Sequence, residues 1–247
     1  MLQQTSTDLD VQDQGIKPKR SVALVELIFF ITLALVSKAV LAIFIWRYAG
    51  PVSLIALLGV LGVYLIWKKE PFSHLGLRDL SSLKSMGLLI PQALLCVVAI
   101  LVTGGGIAVV GEAMGIPAFQ TVPEGIEERF GEIAGNLNKY LLWMVIAWLG
   151  AGLGEEIMFR GFLITRFERA FRGLPLANVL GVIAAATLFG MGHMYYQGLR
   201  GLITTGAIGL ILGTLFLVYK RNIWPLVIGH ALVDSLMFTA LYTGADI

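Results

Sequence analysis

With one cysteine, Cys96, in 247 residues, no disulfide can close within the chain, and metal-holding spacings such as Cys-x-x-Cys are missing. Charge is scarce as well. Asp, Glu, Lys and Arg make up 14% of the residues against 57% hydrophobic, with a mean hydropathy of +0.83. A soluble domain carries about 25% charged residues, so this composition excludes one and points to an integral membrane protein. The net charge is only +2 and the cations are scattered, so there is no basic face for nucleic acid. The soluble metalloprotease signature His-Glu-x-x-His does not occur, and neither an internal repeat nor a soluble second domain is found.

What is present is a series of apolar runs. Residues 1–20 are polar and end in Lys-Pro-Lys-Arg, which reads as a disordered cytoplasmic tail. The run Val22–Trp46 is longer than the roughly 7–15 residues of a signal-peptide core and lacks a small-residue cleavage site, so it is expected to be a retained first span. Pro51–Trp67, Met86–Val110, Tyr140–Ile164, Leu176–Tyr196, Gly201–Tyr219 and Ile223–Leu241 each approach the roughly 17–25 residues that cross a bilayer. The expected fold is an all-α polytopic membrane helix bundle of about seven transmembrane helices over 21–247.

With the N-terminus cytoplasmic, the inner segments hold Lys17, Lys19, Arg20, Lys68, Lys69, Arg78, Lys84, Arg166, Arg169, Arg172, Lys220 and Arg221. The outer segments hold Arg47, Arg129, Lys139 and Arg200, an asymmetry that favours N-inside and C-outside, in the plasma membrane if the source is prokaryotic. In the outer segment after the third span, Ile126, Phe130, Ile133 and Leu137 recur at helical spacing among four glutamates. That pattern suits either an amphipathic helix lying on the interface or a loop helix packed on the bundle.

The chemistry-bearing residues lie in the last four spans. Glu155 and Glu156 are adjacent inside an apolar run, where an ionised side chain costs roughly 2.5–3.5 kcal/mol, so they must face protein or water, or do chemistry. Glu156 and Arg160 are four apart, the spacing of an ion pair on one helical face, which leaves Glu155 without a partner in its helix. His193 follows Phe189 by four residues, and Asp234 follows His230 by four. The glycines Gly152, Gly154, Gly190, Gly192 and Gly229 beside them permit close helix packing. Peptide hydrolysis needs a base to activate water, a group to place it and donors for the oxyanion, and Glu155, His193, His230 and Asp234 supply those types. Glu155, His193 and His230 also form a ligand set that could hold a divalent metal such as zinc. Spacing alone leaves open a metal site, a metal-free water site, a set of structural ion pairs, and a proton-coupled transporter, although the repeated halves of transporters are missing.

Glu155-Glu-Ile-Met-Phe-Arg160 resembles the Glu-Glu-x-x-x-Arg motif of the CAAX prenyl protease and bacteriocin-processing intramembrane protease family, also called Abi. Phe189-Gly-Met-Gly-His193 resembles its Phe-x-x-x-His motif, and His230-Ala-Leu-Val-Asp234 its His-x-x-x-Asn motif, with Asp at the last position. The three occur in the family's order over about residues 140–243, and Phe72–Arg78 looks like the Leu-Gly-Leu-Arg turn upstream, which makes His74 a surface residue. The resemblance implies a four-helix catalytic core and an intramembrane endopeptidase in which Glu155 activates water with His193, while His230 and Asp234 form the oxyanion site. It also implies membrane lipid and a peptide or lipidated protein as partners. The alternative within the family is a non-catalytic binding or bacteriocin-immunity protein.

Overall fold

The computed structural model describes residues 19–245, so the tail expected over 1–20 lies outside the described residues except for its last two. Every regular element among them is helical. Helix α1 is Arg20–Ile45 and, after a tight turn at Trp46–Tyr48, α2 is Ala49–Lys68. The two form an antiparallel hairpin, in which the Tyr64 hydroxyl donates to Glu26 at 2.5 Å and the Phe30 and Tyr64 rings meet at 5.6 Å. A single turn at Phe72–Leu75 leads to α3, Leu83–Ala113, whose start is capped by the Ser82 hydroxyl accepting from the Ser85 N–H.

Beyond α3 lie the short α4 (Pro117–Gln120) and α5 (Glu124–Phe130). Helix α6 then runs over Leu137–Ala170, α7 over Ala177–Val218 and α8 over Trp224–Tyr242. Helix α7 is folded back on itself at Gly198, whose φ of 57° and ψ of −146° suit glycine and not an L side chain. Gly190 faces the Leu202 carbonyl across that hairpin, and Gly209 faces Ala186. Seven apolar helical segments therefore occur in the expected order, with the fifth and sixth joined across Gly198 instead of by a loop.

The outside of the bundle is apolar. Ile43 and Phe44 on α1 are each 77% exposed, and Ile90 and Val102 on α3 are about as bare, whereas charges such as Arg160 and Arg166 are 1% exposed. Such a belt on a soluble molecule would be an aggregation surface, and here it faces lipid. The inside contains a core around Phe162, Leu212, Phe216 and Leu226, and a second aromatic cluster of Phe130, Trp143 and Phe238 near the end that carries α4 and α5.

Two features differ from the helices expected along the chain. Ile146–Ile164, the middle of α6, is wound wider than an α-helix, in the i→i+5 register of a π-helix. Gly150, Gly152 and Gly154 leave the backbone there free of side chains that would favour the tighter winding, and π segments are concentrated at functional sites. The segment after α3 is not one long amphipathic helix. Helix α5 stops at Phe130 and gives way to a tight turn at Gly131–Ile133, because Phe130 and Ile133 turn inward onto Trp143 and Phe238 while Leu137 stays exposed. It is a loop helix docked on the bundle.

Candidate active site

The site is built where α6, α7 and α8 come closest. Gly152 makes this approach possible, since a Cβ there would lie 2.8 Å from Ala231 Cβ and 3.0 Å from the Val227 carbonyl of α8. Glu156, one turn on, is thereby brought beside His230. The two carboxylates of α6 end in different surroundings: Glu156 is completely buried, and Glu155 is only partly so.

Glu156 is fully committed on one oxygen. Its Oε1 accepts from Arg160 Nη1 at 3.0 Å, the ion pair expected from the spacing, and from His230 Nδ1 at 2.9 Å. Arg160 also lies over the Phe189 ring, 4.5 Å from its centroid, so α6 and α7 are joined by a cation–π contact inside the bundle. The Phe189 ring in turn separates the two imidazoles, with centroids 4.9 Å from His193 and 6.3 Å from His230. His193 Nδ1 donates to the Phe189 carbonyl at 2.9 Å, one helical turn back.

Both histidines are therefore held by Nδ1, one on a carbonyl and one on a carboxylate, and neither acceptor can donate in return. A neutral ring with its proton on Nδ1 presents Nε2 as the reactive nitrogen. His230 Nε2 lies 4.0 Å from Asp234 Oδ1 on the same face of α8. Among the described residues no hydrogen bond ties Glu155, whose neighbouring charges include His230, Asp234, Arg160 and Glu156 as well as Lys38 and Arg129. Of the seven residues singled out along the sequence, six are linked through Glu156 and Phe189, and Glu155 stands beside them uncommitted. Among the described residues no group of three or more His, Cys, Asp or Glu side chains is arranged to hold a metal ion. Glu155, His193 and His230 are not gathered into such a group.

A strap outside the membrane segments holds this geometry. In the Leu75–Arg78 turn, Gly76 at φ 84° accepts the Ile223 N–H through its carbonyl at 3.1 Å, and the Arg78 carbonyl accepts from the Trp224 indole at 2.9 Å. Gly161 of α6 packs directly on the Leu75 carbonyl, so one turn fixes α6 against the start of α8. His74 is half exposed beside Glu70, a surface residue as expected.

Two residues near the site were missed along the sequence. Lys38, in the middle of α1, donates to the Gly192 carbonyl at 2.7 Å, and Arg129 of α5 is buried among aromatic rings. The signal for Lys38 was present, since a lone cation inside an apolar run is expensive and marks a site by default. Nothing in the sequence tells an inward-facing Arg129 from a solvated one in so polar a segment.

Residues 137–236, which contain all seven motif residues, match the family profile described as type II CAAX prenyl endopeptidase, Rce1-like. No curated protein and no solved structure matches the chain.

Proposed function

From the match of residues 137–236 to the profile of type II CAAX prenyl endopeptidases, Rce1-like, we propose that this chain is an intramembrane endopeptidase acting on a membrane-associated or prenylated peptide. The observation that carries the proposal is that both histidines are anchored by Nδ1 while Glu155 makes no hydrogen bond among the described residues. A carboxylate engaged in a structural pair could not take a proton from water without breaking that pair. Glu155 is free to do so, and Glu156 is not.

In the proposed reaction Glu155 removes a proton from a water molecule that His193 Nε2 holds as acceptor, and the hydroxide adds to the scissile carbonyl. The tetrahedral oxyanion forms on the opposite side, against His230 and Asp234. His230 contributes Nε2–H in its imidazolium form, with Glu156 behind it bearing the compensating charge. The proton held by Glu155 then passes to the leaving amine, so that one water is consumed and no proton is gained or lost overall. Arg160 and Phe189 position this set: Arg160 holds Glu156, and Phe189 keeps the imidazoles apart while its carbonyl fixes the His193 tautomer. The distribution of cations supports a cytoplasmic N-terminus and an external C-terminus.

The test is hydrolysis of an S-farnesylated Cys-aliphatic-aliphatic-X peptide by purified protein in lipid nanodiscs. Release of the three-residue product by the parent and not by Glu155→Gln is expected. Equal binding of that peptide by both proteins, with no product from either, would favour the non-catalytic alternative.

A further inference from the structure

Arg129 is 6% exposed, yet no carboxylate among the described residues pairs with it, and its Nε and Nη1 have no hydrogen-bond partner. Acids are close at hand in the sequence, since Glu127 and Glu128 precede it and Glu132 follows. Glu132 instead pairs with Arg47 and Lys139. The guanidinium is boxed by Tyr196, Tyr195, Phe130 and Trp143, with centroids 4.5 to 5.4 Å away. Lys38 Nζ sits over the same Tyr195 ring, 3.6 Å from its centroid. Two cations, Arg129 buried and Lys38 partly exposed, thus share one aromatic side chain, where like charges repel and an uncompensated buried charge is costly. Among the described residues the buried Tyr195 hydroxyl has no hydrogen-bond partner either.

This cluster adjoins the reactive groups. The Tyr196 ring under Arg129 is 5.8 Å from the His193 ring, and Lys38 is bonded to the carbonyl of Gly192, the residue before His193. Glu155 acts electrostatically on both cations, yet among the described residues it makes no ion pair or hydrogen bond with either. A second anion is needed to balance the pair. An endopeptidase substrate of the kind proposed above carries one in its free C-terminal carboxylate.

We propose that Arg129, Lys38 and the Tyr195 hydroxyl form a carboxylate subsite that holds the C-terminus of the peptide substrate, fixing cleavage a short distance from the chain end. The inference rests on the peptidase reading. It makes Arg129 and Lys38 specificity residues that touch substrate remote from the scissile bond. The aromatic box excludes water from the ion pair, which strengthens it and rejects a neutral C-terminus that would leave the cations unpaired.

The experiment uses the S-farnesylated Cys-aliphatic-aliphatic-X peptide as free acid and as C-terminal amide. Cleavage and thermal protection of the full chain are both measured, for the parent, Arg129→Gln and Lys38→Gln. In the parent the acid should be cleaved with a kcat/KM roughly tenfold or more above the amide, the factor that one charge-assisted hydrogen bond supplies. In either variant the ratio should fall to within about threefold, through a much larger loss on the acid than on the amide. A purely structural role would depress both substrates together, and a parent that cleaves acid and amide equally overturns the subsite while the peptidase reading stands. Acid-selective protection that depends on Arg129, without cleavage, would keep the subsite and remove the peptidase. Absence of both, or Arg129-dependent protection by inorganic phosphate and none by the peptide acid, overturns the proposal, the latter by assigning the pocket to a lipid headgroup. Lys38→Gln keeps the test available if Arg129→Gln does not fold.

Discussion

Glu156 Oε1 accepts from Arg160 Nη1 at 3.0 Å and from His230 Nδ1 at 2.9 Å, so one buried oxygen ties the arginine of α6 to the imidazole of α8. Removing a partner from such a pair strands a charge, at a cost of about 3–5 kcal/mol. Arg160→Ala should therefore lower the melting temperature in detergent markedly and reduce yield. Its activity should fall too, because Glu156 without Arg160 no longer holds His230 in one orientation. A variant as stable as the parent and yet inactive would move Arg160 into direct contact with substrate.

Glu155→Gln should behave in the opposite way. The side chain has no bonded partner to lose and the amide has nearly the same shape, so the melting temperature should stay close to the parental one. Turnover should vanish, because an amide cannot take the proton from water. More than about a tenth of parental turnover in this variant would remove Glu155 as the base. Comparing Glu155→Gln with Glu156→Gln separates the two adjacent carboxylates: the first should lose chemistry with stability kept, and the second should lose both.

At the end of the bundle that carries the Leu75–Arg78 turn, Glu70 receives Arg166 Nη1 at 3.0 Å and Nη2 at 2.7 Å, and Arg169 Nη2 lies 3.3 Å away. Partial burial pushes the Glu70 carboxyl upward, but the Arg166 hydrogen bonds and the charges of Arg166 and Arg169 outweigh it and hold the group below its ordinary value. A depressed folded pKa contributes stability that is complete above the unfolded value, about 4.3, and is lost as pH falls through the folded one. Through Glu70 the melting temperature should thus change little with pH near neutrality and drop in acid. Glu70→Gln should melt lower at pH 7 and show a shallower acid decline. An identical acid decline in both proteins would show that other carboxylates govern it.

The residues show what a sequence can and cannot carry. The Glu156–Arg160 pair and the shared faces of Phe189 with His193 and of His230 with Asp234 were legible because i,i+4 spacing is a local property of a helix. The contact of Glu156 with His230 joins residues 74 apart in the chain and depends on Gly152 letting α8 approach, which no local pattern encodes. The same holds for Lys38, brought to Gly192 across 154 positions. The seven apolar segments were legible from length and hydropathy. The wide winding of Ile146–Ile164 was not, since glycines permit several backbone paths and packing selects among them.

Asp234 stands where relatives of the resembled family carry Asn, and its role can be decided with one substitution. His230 already has its orienting partner, because Nδ1 is held by Glu156, and Asp234 Oδ1 lies 4.0 Å from Nε2, beyond hydrogen-bond distance. An orienting role is therefore redundant, and in the proposed mechanism Asp234 donates to the oxyanion beside His230. A carboxylic acid donates only while protonated, whereas an amide donates at every pH. Asp234→Asn should keep activity near neutrality and extend it to higher pH, with the alkaline limb of the pH–rate profile displaced or removed. If Asp234 acts as an ionised support for the His230 imidazolium, the amide lacks the charge, and kcat should fall by about 10–100-fold, as for other orienting partners. Loss of that size at all pH values, with the melting temperature unchanged, would reverse the assignment and make Asp234 the electrostatic partner of His230 and not a donor.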